Sequence, residues 1–132
     1  MSAEIRQLIT NLKDTVTAVA GIGLAAPQIG SAHRVCVVNY PDKKSPSALI
    51  NPEVAWISKG TSVLEEACLS IPNVVVPVRR PKKVRVRALD EKGKPVELSA
   101  TDLLAKILQH EIDHLNGVLI TDYQHQSESG KA

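Results

Sequence analysis

The chain has 132 residues, a formal net charge of +2 and 43% apolar residues, which fits one globular domain and excludes disordered, collagen-like and low-complexity chains. Two Cys exclude a disulfide scaffold, and the charge is too mild to imply nucleic-acid binding by itself. The longest apolar run, residues 16–27, is too short for a membrane span, and Glu4, Arg6, Lys13 and Asp14 interrupt any signal-peptide core, so a reducing cytoplasm is the expected compartment.

Residues 3–20 are predicted to form an amphipathic helix. Ile5, Leu8, Ile9, Leu12, Val16 and Val19 recur at spacings of three and four, Ser2 is placed to cap the start, and Gly21 and Gly23 to end it. A small-residue loop follows, from Gly21 to Gly30. Residues 34–40 form an expected buried strand around Val35, Cys36, Val37 and Val38. Residues 41–46 read as an exposed loop, and 48–57 as one or two short strands around Pro52. Residues 74–78 and 83–89 are predicted strands, the second alternating Val84 and Val86 with Arg85 and Arg87. A turn at 90–93 leads to a short partner strand at 95–98.

A second helix is predicted from about Thr101 to Asn116, capped by Ser99 or Thr101 and ended at Gly117. Residues 118–123 read as a last strand, and 124–132 as a polar, loose tail. One helix before the strands and one near the end indicate an α+β fold rather than βαβ units. The expected organisation is a single catalytic domain, 1–123, plus the tail.

The second helix carries His110-Glu111-Ile112-Asp113-His114, an HExxH motif. Two His four residues apart lie on one helix face and can grip one metal ion. On a helical wheel Leu103, Ile107, His110 and His114 form one stripe, and Leu104, Leu108, Glu111 and Leu115 the next. Both are expected to face inward, with Lys106, Gln109, Asp113 and Asn116 outward. Inward-facing His110, Glu111 and His114 fit a metal site, because an unpaired buried carboxylate is costly.

Two imidazoles need a further protein ligand. The extended HExxHxxGxxH pattern matches Gly117 but meets Ile120 at its third His position. His125 and Glu128 in the tail are candidates, and so is Cys68 in Glu65-Glu66-Ala67-Cys68-Leu69-Ser70. Cys36, flanked by Val on both sides, is read as a core thiol. A mixed Cys/His set with an open position suits Fe²⁺, Zn²⁺, Co²⁺ or Ni²⁺. The run Arg79-Arg80-Pro81-Lys82-Lys83-Val84-Arg85-Val86-Arg87 holds six positive charges in nine residues, read as a solvated strand face with RNA contact as the alternative.

Three segments together resemble the peptide deformylases. They are Gly21-Ile22-Gly23-Leu24-Ala25-Ala26-Pro27-Gln28, Glu66-Ala67-Cys68-Leu69-Ser70 and Gln109-His110-Glu111-Ile112-Asp113-His114-Leu115. They stand in the family's order, and the likeness runs from about residue 4 to Tyr123. The resemblance implies short antiparallel or mixed sheets around a central HExxH helix. It implies hydrolysis of the N-formyl group of formyl-methionine on new polypeptides, with release of formate. Cys68, His110 and His114 are then the ligands of one divalent ion per chain, Fe²⁺ in the native state. Glu111 is the general acid/base, and Gln28 and the Leu69 N–H meet the oxyanion. Ile22, Gly23, Leu24, Leu64, Ala67, Leu103 and Ile107 are the expected substrate contacts, and Arg80 the expected partner of Glu66.

Expected partners are formyl-methionyl peptides and, through residues 79–87, the ribosome. No membrane contact is expected, and the protein is expected to be monomeric. The likeness is to short members, some phage-encoded, without the usual extra N-terminal segment and C-terminal helix. Ala67 stands where the family has Gly, and its side chain implies ordinary extended backbone there. Lys106 stands where an apolar residue is common, a change expected to alter the substrate pocket. The competing readings are an HExxH metallopeptidase, which needs a third ligand other than Cys68, and an inactive formyl-peptide-binding module.

Overall fold

The computed structural model describes residues 2–40, 46–68 and 71–123. The first helix, α1 (Ala3–Ala18), starts where the Ser2 side chain accepts the Ile5 N–H at 3.2 Å, and it buries Leu8, Ile9, Leu12 and Val16. Val19 falls outside this stripe and is half exposed, because the helix has already ended. The stop is not a glycine. Ala20 takes the left-handed conformation (φ 53°), and Gly21 N–H reaches back to Val16 O at 2.9 Å, closing a Schellman-type end.

The segment read as a loop contains a short strand, β1 (Gly23–Ala25), and a 3₁₀ turn, Ala26–Ile29. It is followed by β2 (Val35–Val38), β3 (Ser47–Ile57), β4 (Thr61–Cys68), β5 (Ile71–Pro81), β6 (Lys83–Leu89), β7 (Pro95–Thr101) and α2 (Asp102–Leu115). Strands β1-β2-β3-β6-β7 form one sheet in that order, β4 and β5 form a separate hairpin, and every pairing is antiparallel. This is the α+β architecture expected.

The uninterrupted apolar run of β2 has a direct cause. Val35 and Val37 face α1 and pack with Leu12, Val16, Ala48 and Ile50. Cys36 and Val38 face the other way and pack under α2 with Val84, Val86, Leu108 and Ile112. A strand covered on both faces has no polar side. Burial pushes the Cys36 thiol far up, in keeping with a core thiol. Strand β3 is one strand with a kink: Asn51 has φ 51°, and the register slips between Ile50 and Glu53, beside Pro52.

Strand β4, in a stretch to which the sequence patterning assigns no element, pairs along its length with β5. Cys68 there packs with Val76, Val78 and Ile120. At the other end of β7 the chain turns into α2 without a loop. Neither Ser99, inside β7, nor Thr101 caps the helix through its side chain. Asp102 instead takes φ 52° and bonds through its N–H to Lys82 O at 2.9 Å. Gly117 ends α2 at φ 77°, as its position predicts. The last strand expected at 118–123 is absent. A 3₁₀ turn, Ile120–Asp122, stands there, wound by the Asp122 carboxylate accepting the Leu119 N–H at 2.8 Å. No helix among the described residues is long and apolar enough to cross a membrane.

Candidate metal centre and active site

Helical spacing puts His110 and His114 one turn apart on α2, with ring centroids 4.8 Å apart and Nε2 atoms 3.1 Å apart. Cys68, at the end of β4, brings its Sγ to 3.1 Å from His114 Nε2. Their ligand atoms all lie within 4.8 Å of one another. A tetrahedral ion with bonds of about 2.0–2.3 Å holds neighbouring donors about 3.3–3.6 Å apart, close to this spacing. Thiolate and imidazole donors together suit a borderline-soft divalent ion, so the residues fit such a group. His125 and Glu128 lie outside the described residues.

The protonation of the cluster is set from behind. Glu66 Oε1 accepts from His110 Nδ1 at 2.9 Å, and in the neutral ring this tautomer turns the Nε2 lone pair toward the cluster. Burial, aided by His110, holds the His114 pKa down at about 4, which keeps that ring neutral. Burial alone would raise the Glu66 carboxyl, but donors from Arg80 and His110 outweigh it and hold the group below its ordinary range. The Arg80 pairing expected from sequence is present as a fork, Nε to Oε2 at 2.5 Å and Nη2 to Oε1 at 2.9 Å. Arg80 Nη1 also donates to Asp113 Oδ2 at 2.9 Å, and the Tyr123 hydroxyl donates to the same oxygen at 2.6 Å. Asp113 is therefore half-buried in a network rather than free on the outer face.

Gln109, also expected outside, is buried, and its Nε2 donates to Pro81 O and Ala105 O. The end of β5 covers that side of α2 and supplies the acceptor.

Glu111 is 4% exposed, and its Oε1 has no hydrogen-bond partner among the described residues. Burial pushes its carboxyl up to about 7, opposed by His110 and aided by Glu66. A carboxyl poised near neutrality can take up and return a proton. Gln28 is oriented by the backbone three residues earlier: Oε1 accepts the Ala25 N–H at 2.8 Å, and Nε2 lies 3.5 Å from Cys68 Sγ. The Leu69 N–H lies outside the described residues.

A cavity of about 440 Å³ opens in front of the cluster. Of the expected contacts, Ile22, Gly23, Ala67 and Ile107 line it, together with Gln28, Cys68, His110 and Glu111. Three expected contacts are not among its lining residues. Leu24 points to the α1 side of the sheet and is buried with Leu12 and Val16. Leu64 is exposed on β4, one residue out of phase with Glu65 and Ala67, which line the cavity. Leu103 is half-buried against the core under α2. Ala67 lies in the extended β4 strand and is not among the residues of positive φ.

Sequence reasoning missed Ala20, Gly21 and Glu65 as cavity wall, and Lys106, placed outward on the wheel yet singled out as a change to the substrate pocket, lines it as well. For Lys106 the signal was present, since it stands four residues before His110. In the basic run, Arg80 is buried, Arg79 donates to Thr61, Arg85 lies over the Trp56 ring and Arg87 pairs with Glu97.

The family profile of polypeptide deformylase matches residues 1–129. The chain belongs to that family. It is 48% identical over 122 residues to the peptide deformylase of Microchaete diplosiphon, matching 90% of this chain and 65% of that protein. The crystal structure of a peptide deformylase from Legionella pneumophila is 44% identical and superposes with a TM-score of 0.87, over 92% of this chain and 72% of that one. The deformylase of a Vibrio parahaemolyticus bacteriophage, solved in complex with actinonin, is 38% identical with a TM-score of 0.82, over 88% and 83% of the two chains. The chain thus spans about two thirds of the length of the first curated relatives it matches.

Proposed function

We propose that the protein hydrolyses the N-formyl group of formyl-methionyl peptides to formate and a free amine. One observation supports this most: a buried carboxylate with an oxygen unpartnered among the described residues stands beside a Cys/His/His cluster at the head of a cavity of about 440 Å³. Cys68, His110 and His114 would hold a divalent ion, and the resemblance points to Fe²⁺ before Zn²⁺, Ni²⁺ or Co²⁺. Such an ion supplies Lewis acidity toward the formyl oxygen and toward water.

The chain's own groups do the rest. Strand β1 is the edge of its sheet, so an extended substrate can pair beside Gly23 as an added strand. Its first side chain enters the cavity along Ile22, Ala67 and Ile107. Glu111 takes a proton from water as the water oxygen bonds to the formyl carbon. The Gln28 amide and the Leu69 N–H donate to the oxygen that gains negative charge. Glu111 then returns the proton to nitrogen as the C–N bond breaks. Formate and the amine leave.

The test is formate release from formyl-Met-Ala-Ser, with and without a chelator, by protein reconstituted with Fe²⁺ or Zn²⁺. Glu111→Gln should keep one metal per chain and lose about 10²–10⁴-fold in kcat. Cys68→Ala should lose the metal. A Cys68→Ala protein that binds metal and turns over normally would refute the reading. Cleavage of an internal peptide bond in place of deformylation would favour a metallopeptidase.

A further inference from the structure

The cavity is apolar along most of its wall, from Ile22, Ala67 and Ile107 and the backbone of Gly21 and Gly23. Lys106 breaks this pattern. It stands one helical turn before His110 on the same face of α2, so its side chain lines the cavity at about one turn's distance from the metal cluster. Its Nζ donates to the backbone carbonyl of Glu65 at 3.0 Å, crossing from α2 to β4. The bond is to the carbonyl, not to a carboxylate, and among the described residues Lys106 makes no ion pair. An ammonium has three N–H groups to satisfy, and one is spent on Glu65.

We propose that Lys106 is a specificity-determining residue that makes this end of the pocket select a first side chain tipped by a hydrogen-bond acceptor. Peptides that begin with formyl-methionine sulfoxide are then substrates beside those that begin with formyl-methionine. This rests on the deformylase reading above. A hydrocarbon tip pressed on the ammonium strips water from it and gives nothing back. A thioether is only a weak acceptor. A sulfoxide oxygen, on a side chain of nearly the same length, accepts a full charge-assisted hydrogen bond. The hydrolysis itself is unchanged, with water adding to the formyl carbon and the C–N bond breaking as before. The aliphatic stem of Lys106 still packs along the substrate side chain, so methionine is admitted as well.

The experiment compares formyl-X-Ala-Ser peptides with X = methionine, methionine sulfoxide and norleucine, using the metal-loaded wild type, Lys106→Met and Lys106→Arg. Wild type should process the sulfoxide peptide with kcat/KM within about tenfold of the methionine peptide. Lys106→Met should lose about tenfold or more on the sulfoxide peptide while holding or gaining on norleucine. Lys106→Arg, which keeps a donor, should retain the wild-type order. The deformylated tripeptides, which have no formyl group to lose, should inhibit wild type and Lys106→Met in the same two orders. Identical sulfoxide-to-norleucine ratios in wild type and Lys106→Met overturn the role of Lys106 and leave the deformylase reading standing. Wild type that deformylates none of the three overturns both.

Discussion

Gly23→Ala isolates how the catalytic carboxylate is held. Gly23 lies in β1 and is not among the residues of positive φ, so an alanine there meets no backbone strain. The cost is steric. An added Cβ would lie 2.5 Å from Glu111 Oε2 and 3.1 Å from both Cδ and Cγ, and these are its three nearest atoms. The first distance is well inside contact, so Glu111 has to move. It is buried against the core under α2, and burial leaves it little room. Overpacking of this kind costs about 1–3 kcal/mol, which is a fall in Tm of roughly 3–10 °C for a chain of this size. A carboxylate displaced by most of an ångström should lose about 10²-fold in turnover.

The metal ligands are not among the atoms struck, so the bound metal should stay at one per chain. The assay is Tm, metal content and kcat/KM for Gly23→Ala, Glu111→Asp and the double variant. Shortening Glu111 by one methylene removes the 2.5 Å contact with Oε2 and leaves only the milder one at Cγ, so in the double variant the alanine should cost less Tm than it does alone, a coupling read from the cycle. If Gly23 served only to let the substrate backbone approach, Gly23→Ala would raise KM, leave Tm alone and show no coupling to residue 111. That outcome would refute the steric argument.

Three further outcomes follow from the same geometry. Arg80→Met strands Glu66, 1% exposed, without its main counter-charge, and should cost about 3–5 kcal/mol by chemical denaturation. Tyr123→Phe removes the donor to Asp113 and should cost about 1 kcal/mol. The Tyr123 pKa is raised to about 12 by burial and by the Asp113 bond, so its contribution is present below about pH 10 and is lost as pH rises through 12. The wild type should therefore lose stability over that alkaline range where Tyr123→Phe does not. Ala20→Gly relieves a non-glycine residue at φ 53° and should raise stability by about 0.5–1 kcal/mol, a gain seen as a higher denaturation midpoint at unchanged m-value.

The parts of the site that could be read in sequence are those where one element carries the information alone. His110, Glu111 and His114 share one helix, and a fixed turn of 3.6 residues decides which way they point relative to Leu108 and Ile107. The double burial of β2 is legible for a similar reason, since four consecutive apolar residues leave no face for water. Gln109 and Asp113 were misplaced because the wheel knows only polarity. Each points inward because another element brings it a partner, Pro81 O for one and Arg80 with Tyr123 for the other. Strand β4 was hidden by the same physics. Glu65 and Glu66 make the segment look solvated, yet Glu66 is buried, because Arg80 on β5 and His110 on α2 meet both of its oxygens. A buried charge is stable only with its partners in place, so its location is a property of the pairing between β4, β5 and α2 rather than of any one of them. The stop of α1 at Ala20 shows the limit from the other side. Two glycines stood within three residues, and the chain wound the left-handed turn one residue earlier, where Val16 O and Gly21 N–H could meet.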